Sequence, residues 1–154
     1  MGANKKVMER AIELARQSAK DGDYSIGAVI ERDGEIIAVG KTLLKSKNDP
    51  TAHAEIVSIR TVCEKLGTRF LENAVLYTTH EPCPMCASAA IWAKMKGIVF
   101  GATIEDAYGN VTNKFSWRQI NMKCKDVLLA GNPKLELVEE FMRKECNDLF
   151  QLTK

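Results

Sequence analysis

Two short fragments hold residue types that together could do chemistry: His53-Ala54-Glu55 and Pro82-Cys83-Pro84-Met85-Cys86. Imidazole nitrogen and thiolate sulfur suit a borderline-soft dication such as zinc. Three protein ligands leave a fourth tetrahedral position for water, which is the arrangement of a catalytic rather than a structural site. Cys83 and Cys86, three apart where a turn becomes a helix, can point at a common ion, with His53 as the third ligand. One Zn2+ per chain is the expected cofactor. Such an ion brings the pKa of a bound water down to about 7. Glu55, two residues from His53, is the candidate base that accepts the water's proton and hands it on.

Other readings of the same residues exist. Two cysteines three apart can form a redox pair. A closed structural zinc would need a fourth ligand, and His80 is the one other histidine in the chain. Cys63, well along the helix from His53, reads with Cys124 and Cys146 as a reduced core residue. Trp92 reads as core or as dimer interface.

These fragments need elements to position them. Val7, Ala11, Leu14 and Ala15 recur at helical spacing, predicting an amphipathic helix from Asn4 to Lys20. Ser25 to Glu31 and Glu35 to Val39 are apolar runs joined by Arg32-Asp33-Gly34, a strong hairpin signal. Leu43 to Pro50 is polar and irregular. A helix is expected from Thr51 through Leu66 to Gly67, with His53 and Glu55 near its start. Ala74 to Thr79 predicts a strand that empties into the Pro82 turn, Ala87 to Ala93 a small-residue helix, and Gly97 to Thr103 a further strand. Asp106 to Asn113 reads as loop, Val127 to Ala130 as a short strand, and Leu137 to Leu152 as a helix. Strands alternating with helices imply parallel pairing and an α/β class.

The chain has 154 residues, the length of one domain, and residues 1–154 are read as a single unit. Its 45% hydrophobic and 27% charged residues match ordinary globular usage and exclude a disordered chain. Twenty-two Lys and Arg against 20 Asp and Glu give a charge of +2, too even to announce nucleic acid or a membrane surface. The start of the sequence has no apolar signal core, and no apolar run approaches the roughly 18 residues of a span. The cytoplasm is the expected compartment. Five cysteines, an odd number, argue against a disulfide framework.

From about Tyr24 to Ala107 the sequence resembles the cytidine deaminase superfamily, and within it the branch of free-base and tRNA deaminases. The likeness is carried by Ile26-Gly27-Ala28-Val29-Ile30, by Asn48-Asp49-Pro50-Thr51-Ala52-His53-Ala54-Glu55-Ile56 and by Leu76-Tyr77-Thr78-Thr79. It continues through Glu81-Pro82-Cys83-Pro84-Met85-Cys86 and Val99-Phe100-Gly101-Ala102. The resemblance implies a three-layer α/β/α sandwich with a five-stranded mixed sheet and helices on both faces. It also implies one zinc on His53, Cys83 and Cys86, Glu55 as proton shuttle, and a homodimer or larger assembly.

Bacterial guanine deaminases look most similar, through the two motifs and Thr103-Ile104-Glu105-Asp106-Ala107. That implies release of ammonia from guanine or a related aminoheterocycle, with Thr42, Ile26, Ala54, Asp106 and Trp117 as substrate contacts. The tRNA adenosine deaminases share the first motif almost equally, so editing of adenosine in a tRNA is the alternative, beside a cytosine or nucleoside substrate. A zinc-stabilised binding subunit without turnover is the reading from another class. Two positions depart from the family pattern: Thr42 stands eleven residues before His53, where an Asn is usual, and Ile26 stands where many guanine deaminases place Phe. Asp106 has a second reading as a helix N-cap. Phe115 and Trp117 could stack on a planar ring as a lid, or anchor the C-terminal segment to the core.

Overall fold

The computed structural model describes residues 1–110, Trp117 and residues 120–153. Its centre is a five-stranded mixed sheet in the order β2-β1-β3-β4-β5. β1 (Gly27–Arg32) lies antiparallel to β2 (Glu35–Lys41) and to β3 (Ala74–His80), while β3 runs parallel to β4 (Gly97–Ala102) and β4 to β5 (Glu136–Val138). The hairpin between β1 and β2 turns through Asp33 (φ 54°) and Gly34 (φ 84°). Two successive positive φ values are what a two-residue turn between right-twisted strands demands.

Helices cover both faces, as the sequence resemblance implied. On one face α1 (Lys5–Lys20) buries Val7, Met8, Ala11, Ile12, Leu14 and Ala15 against Val29, Val75, Tyr77 and Val99. Each large side chain in that set contributes roughly 1.5–3 kcal/mol of burial. A helix of 16 residues is marginal alone, so this packing holds it. Asn4 caps it by accepting from the Lys6 and Val7 amides, and the Asn4 amide donates to the Tyr77 hydroxyl at 2.9 Å, tying the cap to β3. On the other face α3 (Ala54–Leu66), α4 (Pro84–Trp92) and α6 (Cys124–Ala130) pack over Ala28, Ile30, Leu76, Ile98 and Phe100.

Gly40 lets α3 approach β2 closely: a Cβ there would lie 2.3 Å from the Ala54 carbonyl oxygen and 2.8 Å from the Ser58 nitrogen. The α3 start, which carries His53 and Glu55, can therefore sit directly on the sheet.

Four stretches differ from the sequence expectation. Val127 to Ala130, expected as a strand, is part of helix α6, because Cys124 and Leu128 stand four apart and bury one stripe against α4. The fifth strand is instead Glu136–Val138. That removes the first turn of the helix expected from Leu137. Glu140 and Met142, both with positive φ, separate the strand from α7 (Arg143–Asp148) and a closing 3-10 turn, Leu149–Leu152. Within the stretch expected as irregular, Leu44–Lys47 forms one helical turn, α2, ended by Asn48 in the left-handed region. The loop expected at Asp106 begins as helix α5 (Ile104–Gly109); Asn113 and Phe115 lie outside the described residues.

Ser25 holds the C-terminal turn against the sheet. Its amide donates to the Thr153 hydroxyl at 3.0 Å and its hydroxyl to the Leu149 carbonyl at 2.6 Å. Among the described residues no helix is long and apolar enough to cross a membrane.

Candidate active site

Two helix starts meet beyond the carboxyl end of β3. His53 occupies the N-cap position of α3 and Cys83 that of α4, both extended, and Pro84 takes the first helical position of α4. Proline fits there because its fixed φ suits the helix and the missing N–H would have no helical partner. One turn of α4 then brings Cys86 beside Cys83. His53 Nδ1 lies 3.6 Å from Cys83 Sγ and 3.6 Å from Cys86 Sγ. Tetrahedral zinc with Zn–N near 2.05 Å and Zn–S near 2.3 Å places such a nitrogen and sulfur about 3.6 Å apart. The donor set therefore fits zinc in both chemistry and spacing. All three donor atoms lie within 4.8 Å of one another, and among the described residues this is the cluster of such donors that forms.

The two sulfurs share a proton unequally. The Cys86 thiol, hydrogen-bonded to Cys83, and the His53 imidazole hold Cys83 down at about 4. Cys86, hydrogen-bonded to that sulfur, buried, and beside the Glu55 carboxylate, is pushed up. The hydrogen bond with Cys83 raises His53 in turn. A thiolate and an imidazole at contact are a ready ligand pair for a dication.

Glu55 is almost wholly buried, 3% exposed, in the first turn of α3. The Thr78 hydroxyl donates to Glu55 Oε1 at 2.7 Å, and Cys86 Sγ donates to Oε2 at 3.4 Å. Burial pushes its carboxyl up, opposed by His53 and the Thr78 hydrogen bond. A carboxyl raised in this way takes up a proton more readily than a solvated one and can pass it to a neighbour.

The structure places the other sequence-derived residues variously. Ala54 is buried as the first residue of α3, directly after His53 in the chain. Thr42 is buried, its hydroxyl donating to the Ile26 carbonyl at 3.3 Å, while Ile26 packs against both cores. Asp106 is not the N-cap of α5, which is Thr103, but the N3 residue that closes the capping box with it, and both its oxygens accept from Arg143 at 2.9 Å. Trp117 is 6% exposed and lies among Tyr24, His80 and Phe150, with its ring centroid 4.9 Å from that of Phe150. It packs against the C-terminal turn. His80 is no member of the donor cluster: it stands edge-on to Phe150, and burial pushes it down to about 4.

Thr78 went unassigned in the sequence, although alternation along β3 puts it on the same face as Ala74 and Leu76, toward α3. Two surface clefts, about 480 Å³ beside Asn73, Lys94 and Lys134 and about 550 Å³ beside Arg10, Val39 and Val57, are lined by none of the donor residues. The donor set, not these clefts, marks the chemistry.

Two facing helix starts, set on this sheet, thus bring a histidine and two cysteines that could hold zinc beside a buried glutamate. The chain belongs to the family described as the cytidine and deoxycytidylate deaminase zinc-binding region, whose profile matches residues 1–102. It is 39% identical to a guanine deaminase of Bacillus subtilis over 77% of this chain and 78% of that one. It is 32% identical to a tRNA-specific adenosine deaminase of Aquifex aeolicus, over 90% of this chain and 93% of the relative. A solved structure from work on A-to-I editing by tRNA:A34 deaminases superposes with a TM-score of 0.77 at 30% identity, covering 95% of this chain and 99% of that chain.

Proposed function

We propose that this protein removes an amino group hydrolytically from a purine-type heterocycle, guanine or a related aminopurine being the favoured substrate. The observation that carries the reading is the buried Glu55 carboxyl, fixed by Thr78 beside the His53, Cys83 and Cys86 donors. His53, Cys83 and Cys86 would hold the zinc, which would make a bound water nucleophilic at neutral pH. Glu55 would move two protons in turn: the first from the attacking water to a ring nitrogen of the substrate, the second from the newly added hydroxyl, as the carbonyl forms, to the departing nitrogen. The balance is one water consumed, one C–N bond broken, one carbonyl formed and one ammonia released.

Thr42, Ile26, Ala54 and Trp117 are the proposed substrate-side residues. Thr42 in place of an asparagine offers one hydroxyl where a carboxamide has separate donor and acceptor groups. Recognition of the base edge here therefore differs from that in relatives carrying the amide. Near-neutral charge and the 39% identity to a guanine deaminase support a free small substrate. The longer coverage by the Aquifex aeolicus relative supports a second reading, an adenosine within tRNA. A cytoplasmic homodimer completes the reading, and Trp92 (81% exposed) on α4 with Leu129 (65% exposed) on the neighbouring α6 supports the assembly.

Ammonia release by the zinc-loaded protein separates the substrates. Guanine, adenine, cytosine and a tRNA carrying adenosine at position 34 are compared side by side. Turnover of guanine alone is the expected result. Turnover of the tRNA alone, falling steeply with added salt, supports the second reading. Silence on all four overturns the proposed substrate class.

A further inference from the structure

Glu81 stands between the end of β3 and the metal-ligand turn, and the residue is 4% exposed. One oxygen accepts the Ile104 amide at 3.1 Å, at the start of α5; the other accepts the Cys124 amide at 2.9 Å, at the start of α6. Its own amide donates to the Ala102 carbonyl at 2.8 Å, continuing the β3–β4 register one residue past the strand. The residue immediately before Pro82-Cys83 is thus held from three directions. The two donors are themselves buried, Ile104 at 2% and Cys124 at 0% exposure. An acceptor serving two such amides cannot leave without stranding both. α6 also packs against α4, the helix that carries Cys86.

We propose that Glu81 is a positioning residue for the metal site. Its carboxylate clasps the starts of α5 and α6 to the Pro82–Cys83 peptide and so fixes Cys83 Sγ at the 3.6 Å spacing from His53 Nδ1 that suits a shared zinc. The clasp works in both directions: an ion that orders the Cys83 turn protects the Ile104 and Cys124 amides, and loss of the carboxylate loosens the ion. The inference rests on the His53, Cys83 and Cys86 metal reading and is independent of which heterocycle is deaminated. Groups behind a metal ligand typically change affinity by about 10–100-fold when removed.

The test uses the full chain with Glu81→Gln and Glu81→Ala. Zinc is titrated against a competing chelator, the ligand-field spectrum of the cobalt(II)-substituted protein is recorded, and exchange of the Ile104 and Cys124 amides is followed with and without zinc. Expected are an affinity lowered about 10–100-fold, an altered cobalt spectrum, and zinc-dependent protection of both amides in the wild type that the variants lose. Should the Glu81 variants not fold, Cys124→Pro removes one of the two donors at the first helical position of α6, where proline fits and Lys123 is already extended (ψ 142°). Cys124→Pro is then expected to weaken zinc in the same direction. A folded variant with wild-type zinc affinity and an unchanged cobalt spectrum overturns the proposal. Wild-type chain that takes up no zinc would instead overturn the metal reading beneath it.

Discussion

The Thr78 hydroxyl sits 2.7 Å from Glu55 Oε1 and 3.1 Å from the His80 carbonyl oxygen, with all three residues buried. One hydroxyl carries one proton, so it donates to the carboxylate when Glu55 is ionised. When Glu55 is protonated it can accept from Glu55 and turn its own proton to His80. Both states of a proton shuttle are accommodated without moving α3 or β3. Thr78→Val removes a hydrogen bond that lowers the Glu55 pKa. The acid limb of the pH–rate profile should move to higher pH, and kcat should fall at least about tenfold, the equivalent of roughly 1.5 kcal/mol. KM should change little. Thr78→Ser should restore the profile; an unmoved acid limb in Thr78→Val would separate Thr78 from the shuttle.

Asp106 has both oxygens engaged by Arg143 and one by the Thr103 amide. The Arg143 hydrogen bonds, above all, lower its pKa. Asp106→Ala should cost about 1 kcal/mol, as the loss of a helix cap does. At this chain length that is about 2–4 °C in Tm. Turnover of a small substrate should be preserved. A tenfold loss of kcat/KM at unchanged Tm would place Asp106 on the substrate.

His80 gives stability a pH dependence. Folded, it is pushed down to about 4 by burial; unfolded, a histidine titrates near 6.5. Between those values the unfolded chain binds more protons, so His80 costs stability as pH falls from about 6.5 toward 4. At pH about 5 this amounts to about 2 kcal/mol. Urea midpoints of zinc-saturated wild type and His80→Leu, measured near pH 7 and near pH 5, should show the variant losing less on acidification. Equal losses would contradict the buried neutral histidine.

Gly40 is the close approach that seats α3. Gly40→Ala should destabilise by roughly 1–3 kcal/mol and also weaken zinc binding, because the added methyl displaces the helix turn behind His53. Gly109→Ala, where a Cβ meets nothing within 4 Å, is the control expected to keep both properties. Wild-type zinc affinity in Gly40→Ala would show that α3 can shift without disturbing the ligand.

What the sequence made legible follows the range of the interactions. The Asp33-Gly34 hairpin, the periodicity of α1 and the Gly67 stop of α3 are local, and they formed as read, while α3 begins at Ala54 rather than Thr51. The zinc donors were legible because ligand chemistry restricts residue type so narrowly. Val127 to Ala130 was misread because a short apolar run fits a strand or a buried helix equally, and α4 decides which. Thr78 with Glu55, and Glu81 with Cys124, are pairings across the fold; nothing in either neighbourhood of the chain announces the partner. Asp106 showed a carboxylate near a motif, but its engagement by Arg143 appears only once α7 packs beside β4.

The most direct test of the central claim is Glu55→Gln, assayed for zinc content and for ammonia release from the substrate that the wild type turns over. Retention of one zinc per chain with turnover reduced by at least about 10²-fold is the expected result. A zinc-loaded Glu55→Gln protein that releases ammonia at the wild-type rate would contradict the account.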